Sequence, residues 1–143
     1  MDAISDKHLQ CVVVTPERTV LDEPADFVVV PLYDGELGVL PGRAPLIGRL
    51  GAGELRVRHG PETQRYYVEG GFAQVRGNVV TVLTPKAIKT EEIDTAAAQA
   101  QMEAAKQPAA TPEASAAQQE TAAKARVQLR VAGKGSGAGG EGH

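Results

Sequence analysis

Side chains with the chemistry to do catalysis are few and scattered in this 143-residue chain. Gly135-Ser136-Gly137-Ala138-Gly139-Gly140 has the letters of a dinucleotide fingerprint. That motif works only between a strand and a helix whose N-terminus receives the pyrophosphate, and three residues are all that follow it here. Gly133-Lys134 resembles the end of a phosphate loop, yet Gly135 stands where Ser or Thr would hold magnesium and Gln128 stands where the first glycine belongs. His8, His59 and His143 are far apart in sequence and have no ligand-type neighbour at helical spacing, so they read as separate exposed side chains with no metal. None of Ser5, Ser115 and Ser136 occupies a nucleophile elbow. Asp34 and Glu36 have the types for acid–base work, but Gly35 between them makes a solvated turn the simpler reading. Cys11, the sole cysteine, lies in the run Cys11-Val12-Val13-Val14 and reads as a buried structural thiol, compatible with a reducing compartment. No catalytic residue and no cofactor are expected.

The elements that would position any site fall into two regions of different composition. Of the 38 apolar residues other than Ala, 32 lie in residues 1–83, whereas 17 of the 22 Ala lie beyond residue 85. Only the first region can bury a proper core. Its short Val- and Leu-rich stretches, punctuated by Pro, Gly, Asp and Asn, predict strands at Leu9–Val14, Phe27–Val30, Glu54–Arg58, Tyr66–Val68 and Val79–Leu83. Strict alternation in Glu54–Arg58 places Leu55 and Val57 on one face and the charges on a wet one. Arg76-Gly77-Asn78 predicts a tight hairpin turn. With no helical period between strands, residues 1–86 are expected to form an antiparallel β domain, a sandwich or a barrel.

A two-helix arm is expected over residues 87–133. Its first helix is entered through Thr90 to Asp94 and stopped by Pro108, and its second opens at Thr111-Pro112-Glu113 and is terminated by Gly133. Val127, Leu129 and Val131 alternate like a strand, but the Ala, Gln and Glu before them favour helix. With so few large apolar groups, this arm is expected to be weakly held and detachable. Residues 134–143, rich in Gly, are expected to be disordered.

Composition also excludes several partners. The net charge is −3 and Lys and Arg form no stripe, so nucleic-acid binding is not expected. No apolar run approaches the roughly 20 residues that span a bilayer, so direct membrane insertion is not expected. The polar start Met1-Asp2-Ala3-Ile4-Ser5-Asp6 is unlike a secretory or transit peptide. The stretch Asp34 to Leu46, with three Gly and two Pro, fixes an unusual backbone path that suits a tight corner and a binding surface equally.

That stretch, read as Gly-Glu-Leu-Gly, two apolar residues, Pro-Gly-Arg-Ala-Pro-Leu over Gly35–Leu46, resembles the epsilon-subunit family of F-type rotary ATP synthases. The resemblance extends to Leu9–Arg18, Gly51-Ala52-Gly53, Glu54–Arg58, Tyr67–Phe72 and Asn78–Leu83, and with the two-helix tail it covers about residues 8–132. It implies a sandwich of about ten strands with a C-terminal helical hairpin, and a noncatalytic central-stalk subunit coupling c-ring rotation to ATP synthesis. Implied partners are the gamma subunit, the c-ring and, transiently, the alpha/beta catalytic head, on the cytoplasmic side of a bacterial inner membrane. Carried over position by position, Tyr33, Asp34, Gly35, Glu36, Leu37 and Gly38 would face the c-ring, and Pro41, Gly42, Arg43, Ala44 and Pro45 would meet gamma. Arg43 stands where the family usually has His. Lys124, Arg126 and Arg130 would let the arm inhibit ATP hydrolysis. Ile93 and Asp94 match the start of an ATP-binding motif in some bacterial members, although Ala97 replaces its arginine. The rival reading is a free-standing β-sandwich module for small molecules or glycans, which the scarcity of aromatic residues disfavours.

Overall fold

A computed structural model describes residues 8–141, with side chains for residues 8–133. The chain divides into two compact units, residues 1–89 and 90–143. Ten strands build the first: β1 (Leu9–Val14), β2 (Thr19–Ala25), β3 (Phe27–Leu32), β4 (Gly35–Val39), β5 (Leu46–Arg49), β6 (Ala52–His59), β7 (Glu62–Glu69), β8 (Phe72–Arg76), β9 (Val79–Leu83) and β10 (Ala87–Lys89). They form two five-stranded sheets, ordered β2-β1-β9-β8-β5 and β10-β7-β6-β3-β4. Strand β10 pairs with β7, so the sheet reaches three residues past the boundary at residue 86.

Alternation along the strands sends one set of side chains between the sheets: Leu9, Cys11 and Val13 from β1, Val80 and Val82 from β9, Val28 and Val30 from β3, Leu55 and Val57 from β6, and Tyr66 and Val68 from β7. Burial pushes the Cys11 thiol up to about 12, with Glu23 and Asp22 adding to the shift, so it stays protonated and inert. Pairing is antiparallel except between β1 and β9, which run parallel with Cys11 opposite Val80. A parallel pair needs a long crossover, and here the intervening strands supply it in place of a helix. The hairpin at Gly77-Asn78 has φ of 57° and 64°, which closes Arg76 onto Val79 with a two-residue turn of the favoured twist. Asn78 does more than turn the chain: its carbonyl accepts from the Gln10 N–H at 2.9 Å and its side-chain oxygen from the Gly42 N–H at 2.8 Å.

Two of the chain's passages between the sheets, at Arg49–Gly51 and Glu69–Phe72, adjoin each other. Backbone hydrogen bonds sew them together: Leu50 N–H to the Gly71 carbonyl (2.8 Å), Gly70 N–H to the Gly51 carbonyl (3.1 Å), Gly51 N–H to the Pro31 carbonyl (2.9 Å) and Tyr33 N–H to the Arg49 carbonyl (2.7 Å). Gly71, at φ 99°, lies so close to the Leu83 carbonyl that a Cβ would overlap it.

The second unit starts with a 3₁₀ turn, Thr90–Glu92, followed by α1 (Thr95–Ala104) and α2 (Pro112–Glu141). Asp94 caps α1 by accepting from the Ala97 N–H at 3.0 Å. Turn-type hydrogen bonds carry the end of α1 on to Gln107. Thr111 caps α2 through its hydroxyl, which accepts from the Ala114 N–H at 3.0 Å, with Pro112 at the first helical position. The two helices pack on each other, with Ala98, Ala122 and Ala125 buried. Val127, Leu129 and Val131 are helical, not extended. The helix was expected to end at Gly133 and instead passes through it, because Gly133 does not take the left-handed conformation that would break the ladder. Backbone helix therefore occupies residues 134–141, where disorder was expected; residues 1–7, 142 and His143 lie outside the described residues.

Replacing Gly77 by Ala meets only the cost of a positive φ, about 1–2 kcal/mol, because its Cβ would have open space. Gly71→Ala adds a backbone collision to that cost. Urea unfolding is expected to show a clearly larger loss for Gly71→Ala than for Gly77→Ala.

Candidate functional site

The stretch that stood out in sequence forms a hairpin and a loop. Strands β3 and β4 pair from Val28–Val39 to Leu32–Gly35, with Tyr33 and Asp34 at the turn. Tyr33, Asp34, Gly35, Glu36 and Gly38 are exposed and Leu37 is half-buried against the core. Tyr33 is fixed by its backbone bond to Arg49 and by the Arg49 guanidinium over its ring at 4.9 Å. At the other end of β4, Gly42, Arg43, Ala44 and Pro45 are exposed and Pro41 is half-buried, with Gly42 tethered to Asn78. The hairpin tip and the following loop are thus separated by β4, about 17 Å for five residues, and make two surfaces rather than one.

Glu36 leads into a charge network that sequence reasoning missed. Its carboxylate lies 3.3 Å from Arg56, which is 3.1 Å from Glu54, which is 3.5 Å from Arg65. Arg56 and Arg65 stand directly opposite each other on β6 and β7, a like-charge pair that would repel without a carboxylate between them. Glu54 supplies it, and its side chain is 2% exposed. Burial alone would lower the Arg56 guanidinium, but the hydrogen bonds and charges of Glu54 and Glu36 outweigh it and raise its pKa. The expectation that all charges of Glu54–Arg58 face water therefore fails at Glu54; alternation gives the face but not what covers it. Arg56, Arg58 and Arg65 line a shallow cleft with Phe27, Val29 and Thr63.

A second missed surface is apolar. Along β5, β8 and β9 the side chains directed away from the core include Ile47, Phe72 and Leu83, exposed by 73%, 55% and 52%. Phe72 and Leu83 are register partners. Val12 and Val14 of β1 and Val79 of β9 are half-buried on the same outer face. Its sequence signal is the apolar run Cys11–Val14 and the nearly apolar Val79–Leu83, interrupted only by Thr81, a pattern that belongs to strands covered on both faces.

In the arm, Arg126 and Arg130 are exposed and one turn apart on α2, whereas Lys124 is half-buried and pairs with Glu120 at 3.8 Å. The three cations do not form one cluster. Ile93 is buried, and Asp94 is engaged as the α1 cap. His8 and His59, expected to stand apart, are exposed but adjacent, with ring centroids 6.3 Å apart.

Removing Glu54 as Glu54→Ala takes away the carboxylate between two facing guanidiniums and leaves Arg56 only the exposed Glu36. The expected loss is roughly 1–3 kcal/mol in denaturant unfolding, against less than about 1 kcal/mol for the exposed Glu36→Ala. Equal effects would contradict the central place given to Glu54.

Comparisons with known proteins identify the family. The family model described as "ATP synthase, Delta/Epsilon chain, beta-sandwich domain" matches residues 8–90. A relative from Rhodopirellula baltica named "ATP synthase epsilon chain" is 51% identical over 124 residues, covering 86% of this chain and 97% of its own. One of the same name from Pelotomaculum thermopropionicum is 47% identical over 97 residues, 68% of this chain and 72% of its own. Among solved structures, a chain of the Euglena gracilis mitochondrial ATP synthase superposes with a TM-score of 0.70 at 24% identity, covering 96% of this chain and 85% of that one, which supports the fold. The described residues include no helix long and apolar enough to cross a membrane. The matched sandwich, with its Gly35–Leu46 hairpin and loop, and the near-complete match to an epsilon chain make this chain a member of the ATP synthase delta/epsilon family.

Proposed function

We propose that the chain works as a noncatalytic rotor subunit in the central stalk of a bacterial F-type ATP synthase, peripheral to the cytoplasmic side of the inner membrane. It couples c-ring rotation to the gamma subunit. The observation that carries this reading is the apolar outer face of Ile47, Phe72 and Leu83, presented on a rigid sheet and continuous with exposed Arg49. Gamma docks on this face and on the loop Pro41–Pro45, which the Gly42–Asn78 bond holds beside the β8–β9 turn. A hydrogen-bonded sheet suits the task, because a part that passes torque must not yield at its interface.

The c-ring surface is the tip Tyr33–Gly38. It is polar at Asp34 and Glu36, and the latter's link to Arg56 and buried Glu54 fixes the carboxylate relative to the sheet. Arg43 supplies a cation at the gamma surface where the family usually has an imidazole. Exposed Arg126 and Arg130 on α2 are the arm's best candidates to meet acidic groups of the alpha/beta head, with Lys124 partly engaged by Glu120. The arm changes position as a population shift between two states, favoured by its small stock of large apolar side chains.

Binding to the cognate gamma subunit tests the first surface. Full-length chain carrying Ile47→Asp and Phe72→Asp together is expected to bind at least about tenfold more weakly, since central apolar contacts of an interface each cost more than about 1 kcal/mol when lost. Unchanged affinity in a variant with native circular dichroism would refute the docking face. For the arm, Arg126→Ala with Arg130→Ala in the reassembled complex should raise ATP hydrolysis, and Lys124→Ala should add less; hydrolysis unaltered by all three would remove the inhibitory assignment.

A further inference from the structure

Three residues distant in sequence converge at the end of the sandwich opposite the Tyr33–Asp34 turn. His8 immediately precedes β1, Asp26 is the single residue between β2 and β3, and His59 ends β6. Asp26 and the turn sit at opposite ends of the six-residue β3, about 20 Å apart. The candidate ligand atoms of His8, Asp26 and His59 all lie within 4.8 Å of one another. His8 Nε2 is 3.9 Å from an Asp26 oxygen, and the two imidazoles meet edge-on.

The backbone prepares this arrangement. The second oxygen of Asp26 accepts from the Gly60 N–H at 2.6 Å, and the Asp26 N–H donates to the Arg58 carbonyl at 2.7 Å. The carboxylate is therefore held by one oxygen against the β6–β7 turn while the other faces His8. The Arg58 guanidinium is engaged over the Phe27 ring at 5.3 Å.

We propose that His8, Asp26 and His59 form a binding site for a divalent transition-metal ion of the zinc type. Two imidazole nitrogens and one carboxylate oxygen are a donor set that suits Zn(II), Co(II) or Ni(II) and disfavours Mg(II) and Ca(II), which require oxygen ligands. Ligand atoms around tetrahedral zinc lie about 3.3 Å apart, given bonds near 2.0–2.1 Å. The two exposed imidazoles reach that spacing by turning about their side-chain bonds, with the backbone left in place. Three protein ligands leave a fourth position for water. The ion clamps the two sheets together, because β1 and β2 belong to one and β3 and β6 to the other. Buried, protonated Cys11 does not compete for it.

The test is titration of Zn(II) into the tag-free full chain carrying His143→Ala, so that the terminal imidazole contributes nothing. Calorimetry is expected to give one ion per chain. Co(II) is expected to give the visible absorption of a four-coordinate site, and the thermal midpoint to rise with metal. His8→Ala or His59→Ala each weaken binding at least about tenfold, and the pair together abolishes it and the thermal shift. Both histidines are exposed, so the double variant should keep its native circular dichroism. Asp26→Asn, which retains an acceptor for Gly60, should weaken binding with the fold intact. An absence of binding at millimolar Zn(II), or one-to-one binding that survives the double substitution, overturns the proposal.

Discussion

The architecture depends on a close approach of backbone to backbone at Gly71. There the chain leaves the second sheet for the first and passes against the Leu83 carbonyl with no room for a side chain. One hydrogen bond away, Leu50 and Gly51 make the opposite crossing, and the two corners bond to each other and to Pro31 and Tyr33. A sandwich could be closed by its core alone. This stitching does something the core cannot: it sets the tip of the β3–β4 hairpin relative to β5, on the sheet that carries the exposed apolar face. Tyr33 and Arg49, joined through backbone and ring, sit at that junction.

Local signals made much of this visible in the sequence. Gly77-Asn78 demanded a two-residue turn because few other residues accept positive φ there, and Asp94 and Thr111-Pro112 marked helix starts through groups that an unfinished helix must satisfy. Each of these features is decided within four residues of itself. What stayed hidden depends on partners far along the chain. Glu54 reads as a solvated charge until Arg65, eleven positions on, is placed across the ladder from Arg56. His8 and His59 read as unrelated until the β2–β3 corner brings Asp26 between them. The parallel pairing of β1 and β9 likewise follows from the closure of the whole sandwich.

Candidate surfaces were legible to different degrees for the same reason. Gly35–Leu46 announced itself because its glycines and prolines constrain a local path. Sequence could not say that its halves would part to opposite ends of β4, since that depends on the register with β3. The apolar face was written in the runs Cys11–Val14 and Val79–Leu83, where residues on both sides of the strand are apolar. Such a run signals that both faces will be covered, without saying by what. The core covers one face, and on the other Phe72 and Leu83 are exposed.

The two units differ in what stabilises them. In the sandwich, large side chains interlock between sheets, and every strand but the edge strands β2 and β4 pairs with a neighbour distant in sequence, so local opening must break many contacts at once. In the hairpin, Ala supplies helix propensity and allows close packing at Ala98, Ala122 and Ala125, but each buried methyl contributes far less than a Val or Leu. Helices held mainly by propensity and by their caps can stay helical while their surroundings change. The arm movement proposed above would draw on that property, whereas a torque-bearing sheet draws on the opposite one. Dividing the chain near Lys89 allows one sequence to meet both demands.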